Sequence, residues 1–272
     1  MARAAKLAVL AISVTLAHYG CSDSTPIESV ASAEEVELSL PKWISPEPKP
    51  IPKFGDIANV SEKKTKFFIY LQKRIEATND HVWAERNFVL HYREKVSSGS
   101  VQESERKQFD QLVKRYGFEE SSIEDEDQFN LLLTRVDVVP ASLVLAQAAN
   151  ESAWGTSRFA TEGKNLFGIW CYREGCGIKP KRRNSGSSHE VRKFKTVQDG
   201  VRFYVHNINI GHAYDSLRTL RAELRSDSER LSGVKLATGL TRYSERGLAY
   251  VEEIQNMITH NELHVYNKVR SL

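Results

Sequence analysis

Pro140-Ala141-Ser142-Leu143-Val144-Leu145-Ala146-Gln147-Ala148-Ala149 is almost wholly apolar, and it runs directly into Asn150-Glu151-Ser152-Ala153-Trp154-Gly155. The first segment reads as a buried helix. Proline stands in its first turn, where a missing N–H costs nothing, and alanines line one side so that another helix can approach closely. Glu151 then falls where this helix ends. A helix C-terminus carries partial negative charge and disfavours an anion, and burial beside Trp154 would disfavour ionisation as well. Both effects raise a carboxyl pKa, which suits a general acid working near neutral pH. The alternative on these residues alone is a surface glutamate at a frayed helix end.

Working outward, the flanking segments are helical. Phe67, Phe68, Leu71 and Ile75 are spaced for one apolar face of a helix starting at Ser61. Asn79 or Asp80 is expected to cap a second helix carrying Trp83, Phe88 and Leu90. A third is expected over 100–116, stopped by Gly117, and a short fourth over 125–133. Between positions 155 and 194 the pattern changes: glycine recurs at 155, 163, 168, 175, 177 and 186 with aromatics between, as in a loop-rich lobe with room for one or two short hairpins. Helices are expected again over 197–209, 214–224, 234–239 and 248–259. Helices, an irregular or β insertion, then helices again define an α+β fold that is mainly α.

The chain has 272 residues, of which 40% are hydrophobic and 27% charged, a composition that excludes collagenous, wholly disordered and multi-span membrane proteins. A net charge of +3 is too small for the electrostatic footprint of a nucleic-acid binder, so no nucleic-acid partner is expected. The N-terminus reads as an address. Arg3 and Lys6 precede the apolar run 7–17, which is shorter than the about 20 residues a membrane span needs and suits the core of a secretory signal. The run leads to Gly20-Cys21, which resembles a bacterial lipoprotein cleavage site, with Cys21 as the lipidated residue; plain secretion is the alternative. Six of the eight prolines fall within 25–57, and alternate prolines at 46, 48, 50 and 52 predict extended polyproline II. Residues 22–57 therefore read as a tether. A loop wrapped on the domain, anchored by Trp43 and Phe54, fits equally.

Ala146-Gln147-Ala148-Ala149-Asn150-Glu151-Ser152-Ala153-Trp154-Gly155-Thr156-Ser157, then Asn165-Leu166-Phe167-Gly168-Ile169-Trp170, resembles the glucosaminidase family of peptidoglycan hydrolases, glycoside hydrolase family 73. Cys171, Gly175-Cys176-Gly177, His189 to Phe194, Leu240 to Gly247 and Tyr250-Val251 continue the likeness in order. It extends over about 54–263, so the expected domain is 58–272. The resemblance implies a lysozyme-like helical lobe and a small β lobe flanking a sugar-binding cleft. It implies hydrolysis of the β-1,4 bond after N-acetylglucosamine in glycan strands of the cell wall, with no cofactor.

By the same resemblance Glu151 is the catalytic acid. A second carboxylate is implied in the β lobe, where Glu190 is the best-placed candidate ahead of Glu162 and Glu174. Glu190 would alternatively be an exposed strand residue. The carboxyl separation that distinguishes inverting from retaining hydrolysis stays open, as does attack by the substrate's own N-acetyl group. For that last route Tyr243 matches a family tyrosine at the anomeric centre. Asn165 is expected to fix the Asn-x-Phe-Gly turn or bind sugar, Phe167 to pack beneath the cleft, and Trp154 and Trp170 to stack on sugar faces or lie buried. Cys171 and Cys176, close together in a secreted chain, are expected to pair in a disulfide. No C-x-x-C or H-E-x-x-H spacing calls for a metal.

A lytic transglycosylase or muramidase, and a non-catalytic peptidoglycan-binding protein, are the competing functions. The expected setting is the bacterial envelope: a monomer in the periplasm, held at the outer membrane by lipid on Cys21. Cys21→Ala should then release a soluble protein that still digests isolated peptidoglycan. Fractionation in which the unaltered protein is already soluble would reject the anchor and leave the enzyme reading intact.

Overall fold

The long N-terminal helix α1 (Val60–Ser98) runs unbroken for 39 residues in the computed structural model, which describes residues 38–44, 49–119, 123, 125–181 and 188–270. Cys21, the signal and the first part of the tether lie outside the described residues. At about 1.5 Å per residue α1 is roughly 58 Å long. Asn59 caps it by accepting the Glu62 N–H, and Gly99 ends it in the left-handed conformation. The helix break expected at Asn79 is absent. Asn79 is buried within α1 and pairs with both backbone groups of Val139, donating to its carbonyl (2.8 Å) and accepting its N–H (3.2 Å). An asparagine that looked like a local cap is instead a long-range clamp.

The two halves of α1 serve two cores. Phe67, Phe68, Leu71 and Ile75 join the main core, while Phe88, Val89 and Tyr92 form a second cluster with α2 (Glu103–Arg115) and α3 (Glu126–Arg135). The main core is organised around α4 (Ala141–Ser152), in which every residue from Ala141 to Ala149 is buried. α4 packs against α1, α8 (Gly233–Ala237) and α9 (Leu248–His260). Helices α6 (Val197–Ile210) and α7 (Asp215–Ser226) complete the helical lobe.

The insertion after α4 begins with a short helix, α5 (Arg158–Gly163), which composition had suggested only as loop. It continues as a small antiparallel sheet of β1 (Trp170–Cys171), β2 (Gly177–Ile178) and β3 (Glu190–Arg192), in the order β1-β3-β2. Cys171 and Cys176 are disulfide-bonded across the β1–β2 connection. The architecture is therefore mainly α with a small β lobe, as the residue pattern predicts.

Of the two readings left open for residues 22–57, the described part follows the wrapped loop. Leu38 and Leu40 N–H groups donate to Glu105 and Gln108, and Trp43 sits edge-on to His81 with Arg202 over its ring. The Lys49 carbonyl accepts from Tyr70, and Phe54 is buried against Phe67 and Tyr70. Residues 49–57 are thus part of the folded unit, ahead of the boundary expected at 58, because a buried aromatic outweighs the extended preference of the prolines around it. Phe54→Ala should cost about 3–5 kcal/mol in chemical denaturation, as for other buried phenylalanines. A loss below about 1 kcal/mol would show that the strap is not an integral part of the domain.

Candidate active site

Entry into α4 is fixed by a buried charge. Asp137, 1% exposed, receives a two-pronged contact from Arg225 (2.9 and 3.0 Å), with Arg86 and Arg221 at 3.6 and 3.9 Å. Burial pushes the Asp137 carboxyl up, but the charges of Arg221, Arg86 and Arg225 outweigh it and hold the pKa below the usual carboxylate range. Arg221 and Arg86 also donate to the carbonyls of Thr134, Val138, Leu133 and Val136. The loop that leads into α4 thereby has its backbone acceptors satisfied in the interior.

The exit from α4 is equally constrained. Ala153, Trp154 and Gly155 are consecutive left-handed residues, with φ of +49°, +60° and +75°. For the two non-glycine positions this costs roughly 1–2 kcal/mol each. Trp154 is held edge-on by Phe67 and Phe68 at 5.8 and 5.4 Å, and Lys64 lies over its ring at 4.9 Å. Gly155 donates its N–H to the Ser152 hydroxyl (2.7 Å), and a Cβ there would stand 2.7 Å from the Phe54 ring. The chain turns sharply away from α4, and Glu151 is left half-buried in the last turn of the helix.

Glu151 is reached through a line of hydrogen bonds inside the helical lobe. Tyr204 donates to the Gln147 amide oxygen, Gln147 donates to the Tyr250 hydroxyl (3.0 Å), and Tyr250 donates to Glu151 Oε1 (2.9 Å). Gln147 and Glu151 are four residues apart and so share one face of α4. Burial raises the Glu151 pKa above the usual carboxylate range, and the negative charge of Glu253 adds to the rise. The Tyr250 and Asn150 hydrogen bonds and the charge of Arg246 act against it. A carboxyl with a raised pKa, oriented through one oxygen by Tyr250, is equipped to donate a proton. A Cβ on Gly168, itself at φ +63°, would be 3.7 Å from Glu151 Oε2, so the Asn-Leu-Phe-Gly turn forms the facing wall.

Asn165 shapes that wall. Its side chain accepts the N–H groups of Phe167 and Ile169 and donates to the carbonyls of Ile169 and Arg192, tying the turn to β3. It is 1% exposed, so of its two expected roles it performs turn fixation. Phe167 packs, stacked on Tyr204 at 4.0 Å. Tyr243 stacks on Tyr250 (5.0 Å) and donates its hydroxyl to the Phe167 carbonyl (3.0 Å). Burial pushes its pKa well up, with Tyr250 and Glu151 adding to the effect. Tyr243 therefore braces the turn, and the phenol that touches Glu151 is Tyr250, which sequence reasoning passed over. Its signal was a polar pair: Gln147, a long polar side chain in a largely apolar helix, needs a partner.

Glu190 is not brought to the cleft. It is 2% exposed, and its two oxygens accept the N–H groups of Gly175 (3.3 Å) and Gly177 (2.8 Å). Both alternatives for this residue give way to a third: it organises the turn closed by the Cys171–Cys176 disulfide. Trp170 is 52% exposed and stacked flat on His189 at 3.9 Å, which makes it an aromatic platform on the β lobe. Beside Trp154, an open groove of about 510 Å³ lies between α1 and α9, with Lys64, Arg246 and Glu253 on its walls.

A family model described as mannosyl-glycoprotein endo-beta-N-acetylglucosaminidase matches residues 126–263. Protein bax of Escherichia coli strain K12 is 32% identical over 200 residues, covering 74% of this chain and 70% of its own. No solved structure matches significantly. The matched span runs from α3 through the last helix and contains Glu151, the Asn-x-Phe-Gly turn and Tyr250, and the chain accordingly belongs to the glucosaminidase family of glycosidases.

Proposed function

We propose that this protein is an endo-β-N-acetylglucosaminidase that cuts the β-1,4 bond after N-acetylglucosamine in peptidoglycan, with Glu151 as proton donor. The observation that carries the reading is the placement of Glu151: a half-buried carboxyl at the C-terminal end of a buried helix, pKa raised, oriented by Tyr250 and facing the Gly168 turn. The exposed ring of Trp170 supports a sugar substrate, since an aromatic face stacks on the C–H face of a pyranose. Trp154, three residues after the acid, offers a second aromatic surface on the groove between α1 and α9. Asn165 and Phe167 contribute through the turn they hold rather than by touching substrate. The protein acts outside the cytoplasm, anchored through Cys21, on glycan strands.

Digestion of purified peptidoglycan with analysis of the new reducing ends tests the assignment. N-acetylglucosamine ends are expected; N-acetylmuramic acid or anhydro ends would replace it with a muramidase or transglycosylase. Glu151→Gln should keep the fold and lower turnover by at least about 10²-fold. Near-normal turnover in the folded variant would remove Glu151 from the mechanism. The raised pKa also has a stability consequence. A carboxyl whose folded pKa lies above its unfolded value stabilises the fold below the unfolded pKa, and that contribution is lost as pH rises through the folded pKa. Glutamine stays neutral throughout, so Glu151→Gln should melt higher than the native protein at neutral pH. The difference should shrink toward about pH 4, and a pH-independent difference would contradict the raised pKa.

A further inference from the structure

With Glu190 buried in the β lobe, the expected partner for Glu151 is missing from that lobe. The other candidates there fare no better: Glu162 is exposed on α5, and Glu174 is exposed and paired with Lys179. Helix α9, which supplies Tyr250 to Glu151, carries a carboxylate instead. Glu253 lies three residues after Tyr250 on α9, so the two side chains project from one face, one turn apart. Tyr250 touches Glu151, and Glu253, one turn further along α9, is near enough for its charge to act on the Glu151 carboxyl. Arg246, just ahead of α9, holds Glu253 at 2.6 Å, and Arg246, Glu253 and Trp154 line the same 510 Å³ cavity. Glu252, its neighbour in sequence, is rotated about 100° around the helix and exposed. The reading below rests on the proposed hydrolase function.

We propose that Glu253, oriented by Arg246, is the second catalytic carboxylate, the base that accepts a proton from the water attacking the anomeric carbon. Glu151 gives its proton to the glycosidic oxygen as the C1–O bond breaks. The water oxygen bonds to C1 from the opposite face, and one water proton passes to Glu253. One water is consumed, a hemiacetal and an alcohol are formed, and the proton on Glu253 returns to Glu151 through solvent. Attack on the face opposite the leaving group inverts the anomeric configuration. The charged and titratable groups around Glu253 are Lys64 from α1, Glu151 from α4, Arg246 from the preceding turn, and Glu252 and His260 from α9.

The test uses the full-length protein and soluble glycan strands, with the anomer of the nascent end followed by proton NMR before mutarotation. An α product is expected from the native enzyme, and a β product overturns the proposal without any variant being needed. E253Q, checked for an unchanged melting transition, should lower kcat by about 10²-fold or more with little change in KM. It should also abolish the fall in activity on the acid side, because that fall reports protonation of the base. A normal kcat, or a lowered kcat with the acid limb intact, also overturns it. Cleavage that depends on Glu151 but retains configuration would refute Glu253 alone. A native protein with no Glu151-dependent cleavage would refute the hydrolase reading and this one with it.

Discussion

Everything at the candidate site depends on where α4 begins, and that is set by Asp137 among three arginines. The carboxylate is buried, and an isolated buried charge would be expelled or neutralised. Here Arg225 meets it with two hydrogen bonds, while Arg86 from α1 and Arg221 from α7 bring charge from two directions. Burial also weakens Arg221 itself, to a pKa of about 10, which still leaves it charged. The arginines exceed the carboxylate in number, and the surplus is absorbed by carbonyls of the end of α3 and of the loop that follows it. Removing one partner would leave charge and carbonyls uncompensated together. The loop is therefore held in one conformation, and α4 starts in one place with one rotation about its axis.

From that start, the buried residues Ala141 to Ala149 carry the constraint to Glu151. The far end is held by different physics. Three left-handed residues in succession cost energy that packing has to offset, and the offset comes from Phe54, Phe67 and Phe68 around Trp154 and Gly155. Strain of this kind clusters where geometry matters for function. Here it ends the helix one residue after the carboxylate that needs exposure and carries the chain across to the β lobe.

Much of this was legible in the residues. The apolar run 141–149, the proline before it and the glycine after it determine a buried helix with a carboxylate at its end. The glycine-rich middle announced a small lobe without regular patterning. What escaped was the destination of polar side chains. Asn79 has the character of a helix cap, but its partner is sixty residues away, and periodicity carries no information about that distance. Glu190 looked like a second acid because a carboxylate in a cleft-forming lobe is chemically apt; in the fold its oxygens are consumed by two backbone N–H groups. Tyr243 and Tyr250 are seven residues apart and stacked, so that sequence alone cannot say which hydroxyl points at Glu151. The prolines of 46–52 spoke for extension, and Phe54, a single buried ring, decides that the end of this segment belongs to the domain.

The raised pKa and the position of Glu151 have separate origins. Position comes from the frame: the Asp137 cluster, the left-handed turn and the Tyr204–Gln147–Tyr250 line of hydrogen bonds. The raised pKa comes from burial and from Glu253, against Tyr250 and Asn150, which both favour the charged form. An acid that was only buried would be protonated but free to rotate, and one that was only hydrogen-bonded would be fixed but ionised. Tyr250 resolves the conflict because a phenol is a neutral donor. Its own ionisation is pushed out of reach by burial and by the adjacent carboxyl, so it orients Glu151 without adding a positive charge that would lower the pKa further. An arginine or lysine in its place would hold the carboxylate as firmly and remove the proton it has to give.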